Sequence, residues 1–267
     1  MIAYVSRLNL PDPAANSLQT VRMAAALAQL SAPTGLFVHD LAAPEAEIRR
    51  ANGIEGSSLQ FWPLHTRRWP PAVYNRGTLR FTAYNTGVAA TLGLHPAWRL
   101  SGGTKMLFVR SRLEILYWGR MRPYLPWLRD WLFTCELHDL PGSGTEPGEN
   151  GQAAGRRARM ARALRGYDLV IAVNQALAAD LDDLTGGAVR AQVLPLCSGL
   201  PRLDAPPAAS SPTDRVVIGY FGTVDRNHGV ETALQALERL PDRFVLRLTG
   251  RVREDVRAGV ESAARTG

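Results

Sequence analysis

The stretch VVIGYFGTVDRNHGVETALQAL, Val216–Leu237, decides how the rest of the chain is read. Its first part, VVIGYFG (Val216–Gly222), is a short apolar run rich in β-branched and aromatic residues and ends on glycine, so it reads as a buried strand. GYFGTVDRNHG (Gly219–Gly229) then supplies a turn in which glycine permits tight backbone geometry, and Val230–Leu240 carries apolar residues at helical spacing. A strand that turns through glycine into a helix opens a parallel α/β unit, and the helix N–H groups can meet a diphosphate. The turn is not G-x-G-x-x-G, which argues against a nicotinamide site.

Two more elements follow this opening: a strand over Phe244–Thr249, closed by Gly250, and a helix over Arg253–Arg265. Two strands and two helices bury too little apolar surface for a secure independent domain. Upstream, Pro201–Pro212 with its run DAPPAASSP reads as a linker. The chain therefore divides into a first domain over 1–200, a linker over 201–214 and an incomplete second domain over 215–267.

Strand-like and helix-like runs alternate through the first domain. Strands are predicted at Ile2–Arg7, Gly35–Asp40, Leu59–Trp62, Met106–Arg110, Phe133–Leu137, Leu169–Val173 and Val193–Leu196. Helices are predicted at Ser17–Gln29, Leu41–Arg50, Phe81–Leu92, Arg112–Arg120, Arg156–Arg165 and Gln175–Leu184, with a loop over Gly142–Gly155. Repeated strand–helix units of this length call for a mostly parallel sheet covered by helices.

Hydrophobic residues make up 46% and charged residues 21%, a balance that fits a globular chain and excludes a disordered one. No stretch has the length and continuous apolarity of a membrane span. The opening MIAYVSR leads straight into a strand with no signal segment, so a cytoplasmic location is expected. Cys135 and Cys197, in LFTCEL and VLPLCSG, suit neither a zinc knuckle nor a redox pair and read as reduced structural residues. The five histidines are scattered, so no metal and no cofactor is expected. A net charge of +7, carried almost wholly by arginine, favours anionic partners, but no nucleic-acid motif accompanies it.

Open parallel sheets bind ligands beyond the carboxyl ends of their strands. Asn16 stands at the start of the first helix, as a cap or as a hydrogen-bonding partner for an acceptor hydroxyl. Arg110 ends a strand and offers a planar, permanently charged donor array, with a surface arginine as the plain alternative. In ELHD (Glu136–Asp139), Glu136 and His138 share one strand face. The imidazole can exchange a proton or bond a sugar hydroxyl, and Glu136 can orient the imidazole or a substrate. In the second unit, Gly222 with Arg226 and His228 is the candidate phosphate-binding set.

The order of PAANSLQTVRMAAALAQL (Pro13–Leu30), LFVRSR (Leu107–Arg112), FTCELHDLP (Phe133–Pro141), DLVIAVNQALAADL (Asp168–Leu181), VLPLCSG (Val193–Gly199) and the opening stretch resembles retaining glycosyltransferase family four. That resemblance implies a GT-B-like α/β fold, with one Rossmann-like N-terminal domain and the start of a second. It further implies transfer of a sugar from a nucleotide-sugar donor to a glycan or polyprenyl-linked acceptor, with retention of anomeric configuration. The nucleotide-sugar is a substrate rather than a cofactor. The family pattern places His138 at the transferred sugar and the Asn16 loop near the acceptor. Thr223 and His228 match positions where many relatives carry an arginine and a lysine for the donor diphosphate. Neutral Thr223 cannot replace that charge, and His228 does so only when protonated. The family's later acidic donor-binding motif has no match before Gly267, so the chain is expected to be a fragment that turns over donor poorly alone. A noncatalytic carbohydrate-recognition or assembly protein is the alternative. The segments RRARMARALR (Arg156–Arg165) and YWGRMRPYLPWLRDW (Tyr117–Trp131) add an expected peripheral contact with the cytoplasmic membrane face.

Overall fold

A computed structural model describes residues 1–12, 14–30, 32–70, 77–141, 150–195, 215–225 and 229–266. The chain divides into two compact units, Met1–Gly199 and Leu200–Gly267. The stretch Pro201–Pro212, Cys197, Arg226 and His228 lie outside the described residues.

The first unit is built on strands β1 (Ile2–Val5), β2 (Asn9–Leu10), β3 (Thr34–Val38), β4 (Asp40–Leu41), β5 (Gln60–Pro63), β6 (Lys105–Val109), β7 (Trp131–Leu137), β8 (Leu169–Ala172) and β9 (Ala191–Val193). Seven of them form one sheet in the order β5-β3-β1-β6-β7-β8-β9, and every pairing in it is parallel. The chain runs outward from β1 through β3 to β5, then crosses back to lay β6 on the other side of β1. That reversal is the topological switch point of a doubly wound sheet, where such folds open a crevice at the strands' carboxyl ends.

Among the described residues, seven α-helices accompany the sheet: α1 (Ala15–Gln29), α2 (Glu45–Asn52), α3 (Gly77–Leu94), α4 (Pro96–Arg99), α5 (Arg112–Met121), α6 (Asn150–Leu164) and α7 (Gln175–Thr185). The two faces of β1 show how both layers are held. Ile2 and Tyr4 enter one core with Val21 and Ala25 of α1 and Ile48 of α2. Ala3 and Val5 enter the other with Val88 of α3, Ile115 of α5 and Met160 of α6. Side chains alternate across a strand, so burial on both faces demands the unbroken apolar run IAYV.

Three of the boundaries that depart from expectation bear on the layers. Leu41–Pro44 does not join α2, because Asp40–Leu41 pairs in parallel with Asn9–Leu10 and Pro44 keeps its predecessor out of the helical region. α6 begins at Asn150 rather than Arg156, since Gln152, Ala153 and Ala154 are good helix formers. The closing strand lies at Ala191–Val193, upstream of its expected position.

The second unit carries β10 (Val216–Phe221) paired in parallel with β11 (Phe244–Thr249), and helices α8 (Val230–Leu237) and α9 (Glu254–Thr266). Its core is Val224, Val230 and Val256, while Val216, Val217, Ile218 and Phe221 stay exposed.

Candidate functional site

Arg110 is the first residue beyond β6, and His138 the first beyond β7, the neighbouring strand. Glu136 lies two residues before His138 on β7, and the strand's two-residue repeat brings both side chains to one face. His138 Nε2 stands 2.5 Å from Glu136 Oε1 and 2.6 Å from Arg110 Nε. Arg110 Nε is also 3.4 Å from Glu136 Oε1, completing a triangle of cation, imidazole and carboxylate.

Arg110 is not a surface arginine: its side chain is 8% exposed, against 3% for Glu136 and 28% for His138. The remaining guanidinium donors turn to α1, where Nη2 donates to Gln19 Oε1 at 2.5 Å and Nη1 to Thr20 Oγ1 at 3.4 Å. Arg110 therefore spends its fork inside the protein, and the most accessible member of the triangle is His138. Tyr4 lies in the same charged neighbourhood. Burial, and then the charge of Glu136, push its phenol well above the ordinary value, so it stays protonated.

One ring nitrogen cannot accept from Arg110 and donate to Glu136 together. With the proton on Nδ1, Nε2 accepts from the guanidinium. With Nε2 protonated, it donates to the carboxylate. In that second arrangement the Arg110 N–H, 2.6 Å from Nε2, must turn to another acceptor, and Glu136 Oε1 lies within 3.4 Å of it.

A small hollow of about 20 Å³ opens beside the triangle, bordered by Arg112 and Asp139, which pair at 2.5 Å on the surface. Asn16 lies exposed in the first turn of α1 and does not cap it. The cap position is Ala14, and Asp12 instead accepts from Ala14 N–H at 3.0 Å and Ser17 Oγ at 2.5 Å. Asp12, placed before the helix, thus satisfies one backbone N–H at its start and holds the Ser17 hydroxyl, while Asn16 lies already inside the helix.

In the second unit, Gly222 ends β10 at φ 139°, and its N–H donates to Thr249 O at 3.0 Å. Gly250 ends β11 at φ 144°, so close that a Cβ there would lie 1.9 Å from Gly222 O. Both positions thus require glycine. Thr223 is exposed, and its carbonyl accepts from Tyr220 Oη at 2.7 Å. A hollow of 680 Å³ beyond Gly250 is lined by Arg251, Arg253 and Arg257. The sequence pattern predicts only a helix over Arg253–Arg265 here; three arginines within seven residues of a strand-ending glycine are the signal for this rim, which Glu254 shares.

No family model and no curated protein matches the chain. Solved structures do. Anabaena Alr3699/HepE in complex with UDP superposes with a TM-score of 0.60 at 12% identity, over 99% of this chain and 64% of that one. The lipopolysaccharide outer core galactosyltransferase WaaB, in its apo form, gives the same TM-score, identity and coverage. The E. coli trehalose-6-phosphate structure bound with UDP-2-fluoro glucose gives a TM-score of 0.52 at 13% identity, over 99% of this chain and 69% of its own. This chain has the GT-B-like α/β fold, with a Rossmann-like first unit and part of a second. It spans 64% of the length of the first two of these structures.

Proposed function

We propose that this chain belongs to a retaining glycosyltransferase of family four, using a nucleotide-sugar as donor substrate and a glycan or polyprenyl-linked acceptor at the cytoplasmic membrane face. The observation that carries the reading is the Arg110–His138–Glu136 triangle at the carboxyl ends of β6 and β7, beside the switch point of a GT-B-like sheet. Ligands bind at that place in open α/β sheets.

In this reading His138 meets the transferred sugar, giving or accepting a hydrogen bond at Nε2 as charge develops at the anomeric centre. Arg110 and Glu136 are positioning residues that hold the imidazole. The Asn16 turn lines the acceptor approach. Gly222 and Thr223 belong to the donor side, with Arg226, and His228 when protonated, as the source of the charge that Thr223 lacks. Domain organisation follows the same pattern, with acceptor side in 1–200, linker in 201–214 and donor side in 215–267. UDP in one similar structure and UDP-2-fluoro glucose in another make uridine diphosphate sugars the first donors to try.

The test is a donor screen on the complete gene product, with product configuration read by the anomeric proton coupling in NMR. Transfer with retention, reduced about a hundredfold or more in His138→Ala, is expected from loss of one preorganised transition-state donor. Nucleotide-sugar binding without any product, in the native protein, refutes the catalytic reading and favours a noncatalytic recognition protein. Inversion of configuration refutes the family.

A further inference from the structure

The aromatic, basic segment Tyr117–Trp131 and the arginine-rich segment Arg156–Arg165, far apart in sequence, meet on one surface. α5 and α6 cross so closely that a Cβ on Gly119 would lie 2.2 Å from Ala163 O, and one on Gly166 2.5 Å from Gly119 O. This glycine-dependent approach sets α5 beside the end of α6, and the structure has a groove of 750 Å³ there. Leu113, Tyr117 and Tyr124 give it an apolar stripe, and Arg120, Arg162 and Arg165 its charge. Leu113 is 49% and Tyr124 73% exposed, and among the described residues no acidic side chain lines the groove. Among the described residues, none of the three arginines has a side-chain ion pair or hydrogen bond.

We infer that this groove seats the protein on a bilayer surface bearing anionic phospholipid headgroups. Charge complementarity selects the occupant. Three unpaired guanidiniums match phosphate oxygens, and their long apolar stems can lie along acyl chains while the charged heads stay in water. Tyrosine at this level keeps its ring in the apolar layer and its hydroxyl wet. A soluble anion would use the arginines and leave the exposed Leu113 and Tyr124 without a role. The spacing of Leu113, Tyr117, Arg120 and Tyr124 at intervals of four, three and four puts apolar and basic groups along one side of the helix and its following turn.

The inference adds a surface to the proposed transfer reading but does not use its chemistry, so the two can fail separately. Binding of the 267-residue chain is measured by co-sedimentation with phosphatidylcholine vesicles, with and without phosphatidylglycerol, and needs neither donor nor acceptor. Binding to the phosphatidylglycerol vesicles alone, weakened by salt, is expected. Each arginine near an anionic surface strengthens partitioning about fivefold, so the triple variant Arg120→Gln, Arg162→Gln, Arg165→Gln should bind about a hundredfold more weakly. Leu113→Ser with Tyr124→Ser, both exposed, should also weaken binding while leaving the circular dichroism spectrum unchanged. Three results overturn the inference: no vesicle binding by the native chain, binding unaffected by both variants, or complete competition by inorganic phosphate at matched ionic strength. Self-association that both variants abolish, without vesicle binding, would assign the groove to a second copy instead.

Discussion

His39 makes the stability of the first unit depend on pH in a direction that can be worked out. It lies 5% exposed just beyond β3, its ring stacked on Tyr84 at 4.4 Å with 8° between planes. Thr66 Oγ1 donates to Asp40 Oδ2 at 2.8 Å, so its hydroxyl proton is committed and it must accept from His39 Nδ1 at 2.9 Å. A neutral imidazole with its proton on Nδ1 satisfies that chain. Burial first, then the charges of Arg80 and Arg7, lower the pKa from 6.5 to about 4, while Asp40 opposes them. The unfolded chain therefore binds the proton more readily than the fold. The contribution is fully present above the unfolded value near 6.5 and is lost as pH falls toward about 4. Between about pH 7.5 and about pH 5, a downward shift of this size removes about 2 kcal/mol of stability.

The assay is urea unfolding followed by near-ultraviolet circular dichroism at both pH values, comparing the native chain with His39→Asn. Asparagine keeps an N–H for Thr66 but does not titrate, so differencing the two chains cancels the carboxylates. The native chain should lose about 2 kcal/mol more than the variant on acidification. Equal losses in the two chains, or a smaller loss in the native one, would refute the argument that His39 is held neutral.

Gly119→Ala forces a Cβ to 2.2 Å from Ala163 O, a backbone atom that cannot swing aside, so a loss of about 1–3 kcal/mol in urea stability is expected; an unchanged midpoint would sink the close-crossing account. Hydrogen exchange should release the amides of β10 and β11 before those of β1, β6 and β7. The second unit buries Val224, Val230 and Val256, whereas the sheet of the first is packed on both faces. Equal protection in the two units would contradict this. Cys135 is wholly buried, and burial raises its thiol well above the ordinary value, so in a Cys197→Ser background iodoacetamide should label it only after denaturant. Labelling at native rates typical of a free thiol would show the core to be open.

Much of the site was legible because it is local. The two-residue period of a strand predicts that Glu136 and His138 face the same way, and His138 Nε2 does lie 2.5 Å from Glu136 Oε1. The role of Arg110 was not legible. Its partners Gln19 and Thr20 are 91 and 90 residues away, and nothing in their spacing announces the contact. The aromatic run Tyr117–Trp131 was likewise visible as basic and apolar, but Trp118 is wholly buried and donates to Asn85 Oδ1 at 2.9 Å, while Tyr124 stays exposed.

By itself, the sequence determined the alternation of strands and helices, because apolar periodicity is a property of neighbouring residues and survives in any parallel α/β packing. It also determined where glycine had to stand, at Gly222 and Gly250, where the backbone takes conformations costly for other residues. Only the tertiary structure decided that β6 lies against β1, which turns a distant arginine inward onto α1 and leaves the histidine as the accessible member of the triangle. Only it decided that α5 and α6 meet at Gly119 and Gly166, collecting three arginines along one groove. Such outcomes depend on strand order and helix crossing, which are set by the burial of whole faces rather than by any short stretch of residues.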